Sequence, residues 1–290
     1  MLEPPPLAPG DTIAVFAGSS AFDRAPVLRG MGWLAERFRV VFEPSLFSRS
    51  GYLAGPDERR AAELARWMRE EGVSALLAAR GGWGLLRVID ALPWAELARR
   101  PRWILGFSDV TTLHLELAAR GVASLHGPNA SGLAAADEWT RARVLSVLLE
   151  PAAPYRLEGV AWQGGRARGP LVGGNLTLLH AHAAAGRLRL PPGAILLLED
   201  VTERPYRIDR MLTALALSGA LEGVAGFALG EWTDCAPGRD GVTVERVLRD
   251  ALAPLGRPIV AGLPIGHGRY NAPVVLGREH VIDGASLSSA

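Results

Sequence analysis

Residues 74–82 (SALLAARGG) and 103–111 (WILGFSDVT) decide the fold, because each is a short apolar run that stops abruptly at small or polar residues. Uninterrupted apolar runs of this length mark strands buried on both faces. Outward from them the pattern recurs. Thr12–Ala17 (TIAVFA) ends at Gly18-Ser19-Ser20, and Arg39–Phe42 (RVVF) reads as another strand. Helical stretches lie between. Residues 24–37 follow the first strand, and Asp57 is placed to cap a helix whose Leu64, Trp67 and Met68 share one face. Strand and helix alternate, which predicts a parallel sheet with helices on both faces.

The rhythm breaks at residues 151–170, a stretch rich in Pro, Gly and Arg without a period. It reads as a linker between an N-terminal α/β domain over 1–150 and a smaller C-terminal α/β domain over 171–290. In the second domain LVGGNLTLLHAHAA (171–184) reads as a turn into a helix with Asn175 near its cap. Ala194–Leu198 is a buried strand ending at Glu199-Asp200, and 206–221 is an amphipathic helix. Strand, helix and strand follow over 226–230, 243–254 and 258–263, the last stopping at Gly266-His267-Gly268.

Composition narrows the function. The 290 residues are 49% hydrophobic with a formal net charge of +1, so a large core is available and the basic footprint of a nucleic-acid binder is missing. One cysteine, Cys235, excludes internal disulfides and cysteine-rich metal sites. No basic and apolar leader opens the chain and no run is long enough for a membrane helix, which predicts a cytoplasmic protein. All 31 basic residues are arginine, and the lack of lysine removes Schiff-base chemistry, Ser–Lys dyads and the P-loop lysine.

Ligands of open α/β sheets gather at the carboxyl ends of strands. Those ends hold Ser19/Ser20, Arg80-Gly81-Gly82, Ser108-Asp109, Glu199-Asp200, Glu231 and His267. A nucleophile, a base and an orienting carboxylate are all present among them. Ser108 sits where a strand turns sharply into a helix, exposing Oγ and aiming the Asp109 N–H at the reaction centre. The turn is not G-x-S-x-G, since Val110 fills the last position, and Ser108 or Asp109 also suits a plain helix cap. His267 lies between two glycines, with His126 in Leu125-His126-Gly127-Pro128-Asn129 as its rival. Glu199 ends an apolar strand, where a carboxylate needs a partner; Asp200 and Glu203 are its rivals. The loop Arg80-Gly81-Gly82-Trp83-Gly84 lacks the dinucleotide fingerprint, and the amide of Gly82 pairs with that of Asp109 as a candidate oxyanion hole. The only asparagines, Asn129, Asn175 and Asn271, fall in these same glycine-rich segments.

Seven segments, PGDTIAVFAGSS, ARGGWG, GFSDVTTLHLEL, HGPN, GGNLTLL, LLLEDVTERPYRIDRML and GLPIGHGRYN, together resemble the LD-carboxypeptidase family of serine peptidases, which includes the microcin C immunity peptidases. They keep the family's order over nearly the whole chain. The resemblance implies a flavodoxin-like N-terminal domain carrying the nucleophile, a C-terminal domain carrying its partners, and an active site at their interface. It assigns Ser108 of the G-Y/F-S-D motif, Glu199 of L-E-D and His267 of G-H-G as a Ser–Glu–His triad. It also implies a homodimer and no need of metal or other cofactor. Trp83 stands where tyrosine is commoner, and Arg269-Tyr270 depart from the usual residues after G-H-G. Trp83, Arg204, Arg269 and Asn271 are the expected substrate contacts, with an arginine as clamp for a peptide carboxylate.

The expected substrate is a muropeptide tetrapeptide losing its terminal D-alanine in peptidoglycan recycling. One rival keeps the triad for a self-immunity peptidase that cuts peptidyl or aminoacyl nucleotides, with Trp162 stacking on the base. A second rival is a non-catalytic two-domain protein that binds a small molecule.

Overall fold

The computed structural model describes residues 1–290, and the chain divides into two compact units. Unit 1 comprises Met1–Ala153 and Pro273–Val275; unit 2 comprises Pro154–Ala272 and Leu276–Ala290. Along unit 1 run β1 (Thr12–Phe16), α1 (Arg24–Ala35), β2 (Arg39–Phe42), α2 (Asp57–Arg69), β3 (Ala75–Ala78) and α3 (Trp94–Arg99). Then follow β4 (Trp103–Gly106), α4 (Thr111–Ala119), β5 (Ser124–His126), α5 (Ala130–Leu133) and α6 (Glu138–Leu149). Unit 2 continues with β6 (Arg156–Glu158), β7 (Val160–Gln163), β8 (Arg166–Asn175), α7 (Leu176–Ala184), β9 (Ile195–Val201) and α8 (Pro205–Leu217). It is completed by β10 (Gly226–Thr233), α9 (Val244–Leu252), β11 (Ile259–Ala261), β13 (Glu279–Asp283) and β14 (Ser286–Ser289), while the intervening β12 (Val274–Leu276) joins the sheet of unit 1.

The sheet of unit 1 has the order β12-β5-β4-β3-β1-β2, and β1 to β5 pair in parallel. Alternation along each strand feeds two cores. Ile13, Val15, Leu77, Trp103 and Leu105 pack with Val27, Met31 and Leu34 of α1 on one face. Ala14, Phe16, Leu76 and Ile104 pack with Leu64 and Met68 of α2 and Leu113 and Leu117 of α4 on the other. The parallel sheet covered on both faces, expected from the βα rhythm, is what the chain builds. Each fully buried leucine or isoleucine contributes about 1.5–3 kcal/mol to such a core.

Unit 2 holds an eight-stranded mixed sheet in the order β6-β14-β13-β8-β9-β10-β11-β7. The central β8, β9, β10 and β11 are parallel, and β13, β14, β6 and β7 flank them antiparallel. The stretch 151–170 is therefore not an unstructured linker: it contains β6, β7 and the start of β8. β6 and β7 are short, exposed edges, so they carry no continuous apolar signal. Gly173-Gly174 end β8 instead of forming a turn, and a Cβ on Gly173 would collide with the Leu197 carbonyl of β9. Asn175 does cap α7, its Oδ1 accepting the Leu178 N–H at 3.2 Å. Asp57, expected as a cap, lies inside the first turn of α2, and its carboxylate takes Arg87 and Arg60 instead.

Candidate active site

In unit 1, β4 ends at Gly106, Phe107 is extended, and Ser108 takes a φ of 63° before the chain enters α4. A left-handed residue that carries a Cβ costs roughly 1–2 kcal/mol, so it persists only where its surroundings hold it. They do so from several sides. The Phe107 N–H donates to Asn129 Oδ1 at 3.2 Å, and the fully buried Asp109 carboxylate accepts the Leu85 N–H at 2.9 Å. A Cβ on Gly81 would stand 2.7 Å from Ser108 Cβ and 2.9 Å from its Oγ. Only glycine lets loop 80–84 approach the hydroxyl so closely.

That loop is itself fixed. Gly82 has a φ of 106°. Ser20 Oγ accepts the Trp83 N–H at 3.1 Å, and the Ser20 N–H donates to the Gly81 carbonyl at 3.3 Å. Beneath it lies Arg60, wholly buried, donating to the Gly84 carbonyl at 2.9 Å and to the Gly18 carbonyl, and paired with Asp57. Ser20 is among the strand-end residues the sequence displays, whereas Arg60 does not stand out there, although it lies on the same face of α2 as Leu64 and Trp67.

Burial pushes the Asp109 carboxyl up to about 6, against the bond from Leu85, which lowers it. Its folded pKa exceeds its unfolded one, so the folded protein keeps this proton longer and loses stability as pH rises between the two values. A shift of about two units corresponds to at most about 3 kcal/mol. Wild type is expected to lose this increment between about pH 4 and pH 7, and Asp109→Asn to lose less, the difference being read from urea unfolding of both proteins across that range. Parallel curves would show that Asp109 does not titrate there.

In unit 2, β9 delivers Glu199 fully buried at its carboxyl end, and Glu199 Oε2 accepts the Nδ1–H of His267 at 2.7 Å. Burial raises the Glu199 carboxyl above its usual range, while the bond from His267 pulls it down. A Cβ on Gly266, at a φ of 115°, would sit 2.5 Å from Glu199 Oε2. Glycine there lets the histidine loop lie on the carboxylate.

The rivals are engaged elsewhere. Asp200 accepts Asn175 Nδ2, the Thr177 N–H and the Thr177 hydroxyl, each at 2.9 Å. Glu203 pairs with Arg207 at 3.6 Å. His126 is buried in unit 1 with its ring against Phe107. His114 is also buried, and desolvation pushes it down to about 4; its Nε2–H donates to the Gly106 carbonyl while Nδ1 accepts from the Ser124 hydroxyl. His280 meets the Tyr155 hydroxyl at 2.6 Å.

Of the expected substrate contacts, Trp83 is half-buried. Arg204 is exposed, reaching the Ala236 and Pro237 carbonyls at 3.4 Å, and exposed Arg269 lies over Tyr270. Asn271 is placed differently from these three. It is buried, and its Oδ1 accepts the Gly266 N–H at 3.1 Å, so it shapes the histidine loop. No group of three or more His, Cys, Asp or Glu side chains is placed to hold a metal ion, and no helix is long and apolar enough to cross a membrane.

Comparison with known proteins gives the class. Residues 13–127 match the LD-carboxypeptidase N-terminal domain and residues 168–282 the LD-carboxypeptidase C-terminal domain. A Synechocystis protein named as a carboxypeptidase is 41% identical over 98% of this chain and 95% of its own length. The murein tetrapeptide carboxypeptidase of Pseudomonas aeruginosa is 33% identical over 83% of this chain and 82% of its own. Among solved structures, the muramoyltetrapeptide carboxypeptidase of Oxalobacter formigenes superposes with a TM-score of 0.86 at 25% identity, covering 96% of this chain and 97% of that one. The microcin C7 self-immunity protein MccF shares the fold, with a TM-score of 0.90 at 20% identity over 100% of this chain and 98% of its own. The protein is a serine-type carboxypeptidase, a hydrolase of peptide bonds. It belongs to the LD-carboxypeptidase family.

Proposed function

We propose that this chain removes the terminal D-alanine from muropeptide tetrapeptides during peptidoglycan recycling, through a Ser108–His267–Glu199 triad. The observation that carries the reading is the 2.7 Å bond from His267 Nδ1 to the fully buried Glu199. With Nδ1 committed as a donor, Nε2 is the nitrogen that takes a serine proton. The left-handed turn at Ser108 supports the other half, since it presents Oγ at the head of a helix.

Chemistry follows from these roles. His267 Nε2 accepts the Ser108 proton as Oγ attacks the scissile carbonyl, and the N–H groups of Asp109 and Gly82 stabilise the oxyanion. The imidazolium, held by Glu199, returns the proton to the leaving amine of D-alanine. Water then attacks the acyl-enzyme by the same base, releasing the tripeptide and restoring Ser108. Arg204 or Arg269 supplies the clamp for the free carboxylate. A homodimer belongs to the same proposal, on the strength of the family resemblance, and so does the cytoplasmic location expected from the sequence.

The fold shared with MccF favours one second reading, hydrolysis of an aminoacyl nucleotide by the same residues. Both are tested together by incubating the protein with the tetrapeptide L-Ala-D-Glu-meso-diaminopimelate-D-Ala and with an aminoacyl sulfamoyl adenylate. D-alanine release from the first is expected. Cleavage of the second alone would overturn the muropeptide reading in favour of the nucleotide one.

A further inference from the structure

Glu231 stands at the carboxyl end of a strand like Glu199, yet the triad does not use it. It lines a pocket of about 240 Å³ within unit 2, walled by Trp162 of β7, Leu229 and Trp232 of β10, and Val244 and Leu248 of α9. Arg249 stacks on Trp162 at 4.2 Å and donates to Glu245 at 2.9 Å, fixing one wall. The Glu231 backbone is anchored by its N–H, which donates to the Ile265 carbonyl at 2.9 Å. Its carboxylate has no hydrogen-bond or ionic partner in the chain, and burial raises it above the usual carboxylate range. A carboxylate kept half-buried and unpaired among apolar walls is costly unless a cation from outside completes it. The indole N–H of Trp232 is likewise buried without an acceptor.

The pocket adjoins the histidine pair. Glu231 packs on Gly268, the residue after His267, so that a Cβ on Gly268 would stand 2.5 Å from Glu231 Cγ. Gly230 lies against Glu199, where an added Cβ would be 3.2 Å from Glu199 Cβ. A group seated here is therefore one residue away from the proposed base. Apolar walls suit a methylene stem, and the carboxylate with neighbouring indoles suits an ammonium at its end.

Resting on the carboxypeptidase reading above, we propose that this pocket is the specificity site for the acyl-donating residue of the peptide. It takes a diamino acid side chain, with the terminal ammonium on Glu231 and the stem between Trp162 and Leu248.

The test uses two peptides that differ only in that ammonium, L-Ala-D-Glu-L-Lys-D-Ala and its norleucine counterpart. Binding is measured by calorimetry on Ser108→Ala protein and on the same protein carrying Glu231→Gln, and cleavage is measured on wild type and Glu231→Gln. The lysine peptide is expected to bind about tenfold or more tighter than the norleucine peptide, the scale of one charged hydrogen bond. Glu231→Gln should erase most of that preference while leaving norleucine-peptide binding unchanged, which also shows that the variant folds. Equal binding of the two peptides, no binding of either, or a preference that survives Glu231→Gln would overturn the proposal. If the binding pattern holds but wild type cleaves neither peptide, the pocket stands and the cleavage reading falls.

Discussion

Ser108→Ala is expected to release D-alanine from the tetrapeptide at least roughly 10⁴-fold more slowly than wild type, because loss of a triad nucleophile removes covalent catalysis entirely. Residual turnover would come from the Asp109 and Gly82 amides and from binding alone. Folding should survive the change. Alanine keeps the Cβ that already packs near Gly81, and the turn is held by Asn129, Asp109 and loop 80–84 independently of the hydroxyl. The prediction is therefore a collapse of kcat with the melting temperature little changed, measured by D-alanine release beside thermal unfolding. Retention of more than about a tenth of wild-type kcat would remove Ser108 from the nucleophile's role. A collapse accompanied by unfolding would instead locate its importance in the strained turn.

Much of the architecture was open to reading because each chemical residue follows an apolar run. Leu76–Ala78, Trp103–Gly106 and Ile195–Leu198 are buried on both faces, so they read as strands without alternation, and the residues just after them are the ones that gather at the sheet ends. The antiparallel edges were opaque for the opposite physical reason. Val160 is 60% exposed and β6 buries a single residue, so neither makes a run that a sequence can display. β12 was missed because Val274–Leu276 is only three residues long and finds its partners in a sheet whose other strands lie before residue 127. The asparagines stand out in the sequence for their company in glycine loops, and Asn175 as a helix cap, but their contacts beside the candidate site do not. Asn129 holds Phe107 beside Ser108, Asn175 binds Asp200 beside Glu199, and Asn271 holds Gly266 beside His267. Those partners come from other elements, and no local pattern announces them. The Arg60 anchor is hidden similarly, since a wholly buried arginine looks in sequence like any other helical surface charge.

Glu199→Gln separates orientation from architecture more sharply than any other substitution in unit 2. Glutamine has nearly the same shape, so it fills the site against Gly266 and Gly230 without a new cavity. In the proposed triad, what disappears is the negative charge that fixes Nδ1 of His267 as donor and would stabilise the imidazolium once the serine proton has moved. In triads of this kind, that loss with geometry intact costs about 10⁴ in kcat. Stability should move the other way. Burial raises the Glu199 carboxyl more than its bonds lower it, so the folded state carries a net cost for holding this group as an anion at neutral pH. A neutral amide removes that cost, and the variant is expected to melt at or above the wild-type temperature at neutral pH. The advantage should shrink as pH falls through the raised Glu199 value, where the wild-type carboxyl takes up its own proton in the fold. Measuring kcat and melting temperature of both proteins from acid to neutral pH tests the two halves separately. A variant within about tenfold of wild-type kcat would show that Glu199 does not orient the base. One that lost stability at neutral pH would show that the anion, paired with His267, is worth more to the fold than its desolvation takes away.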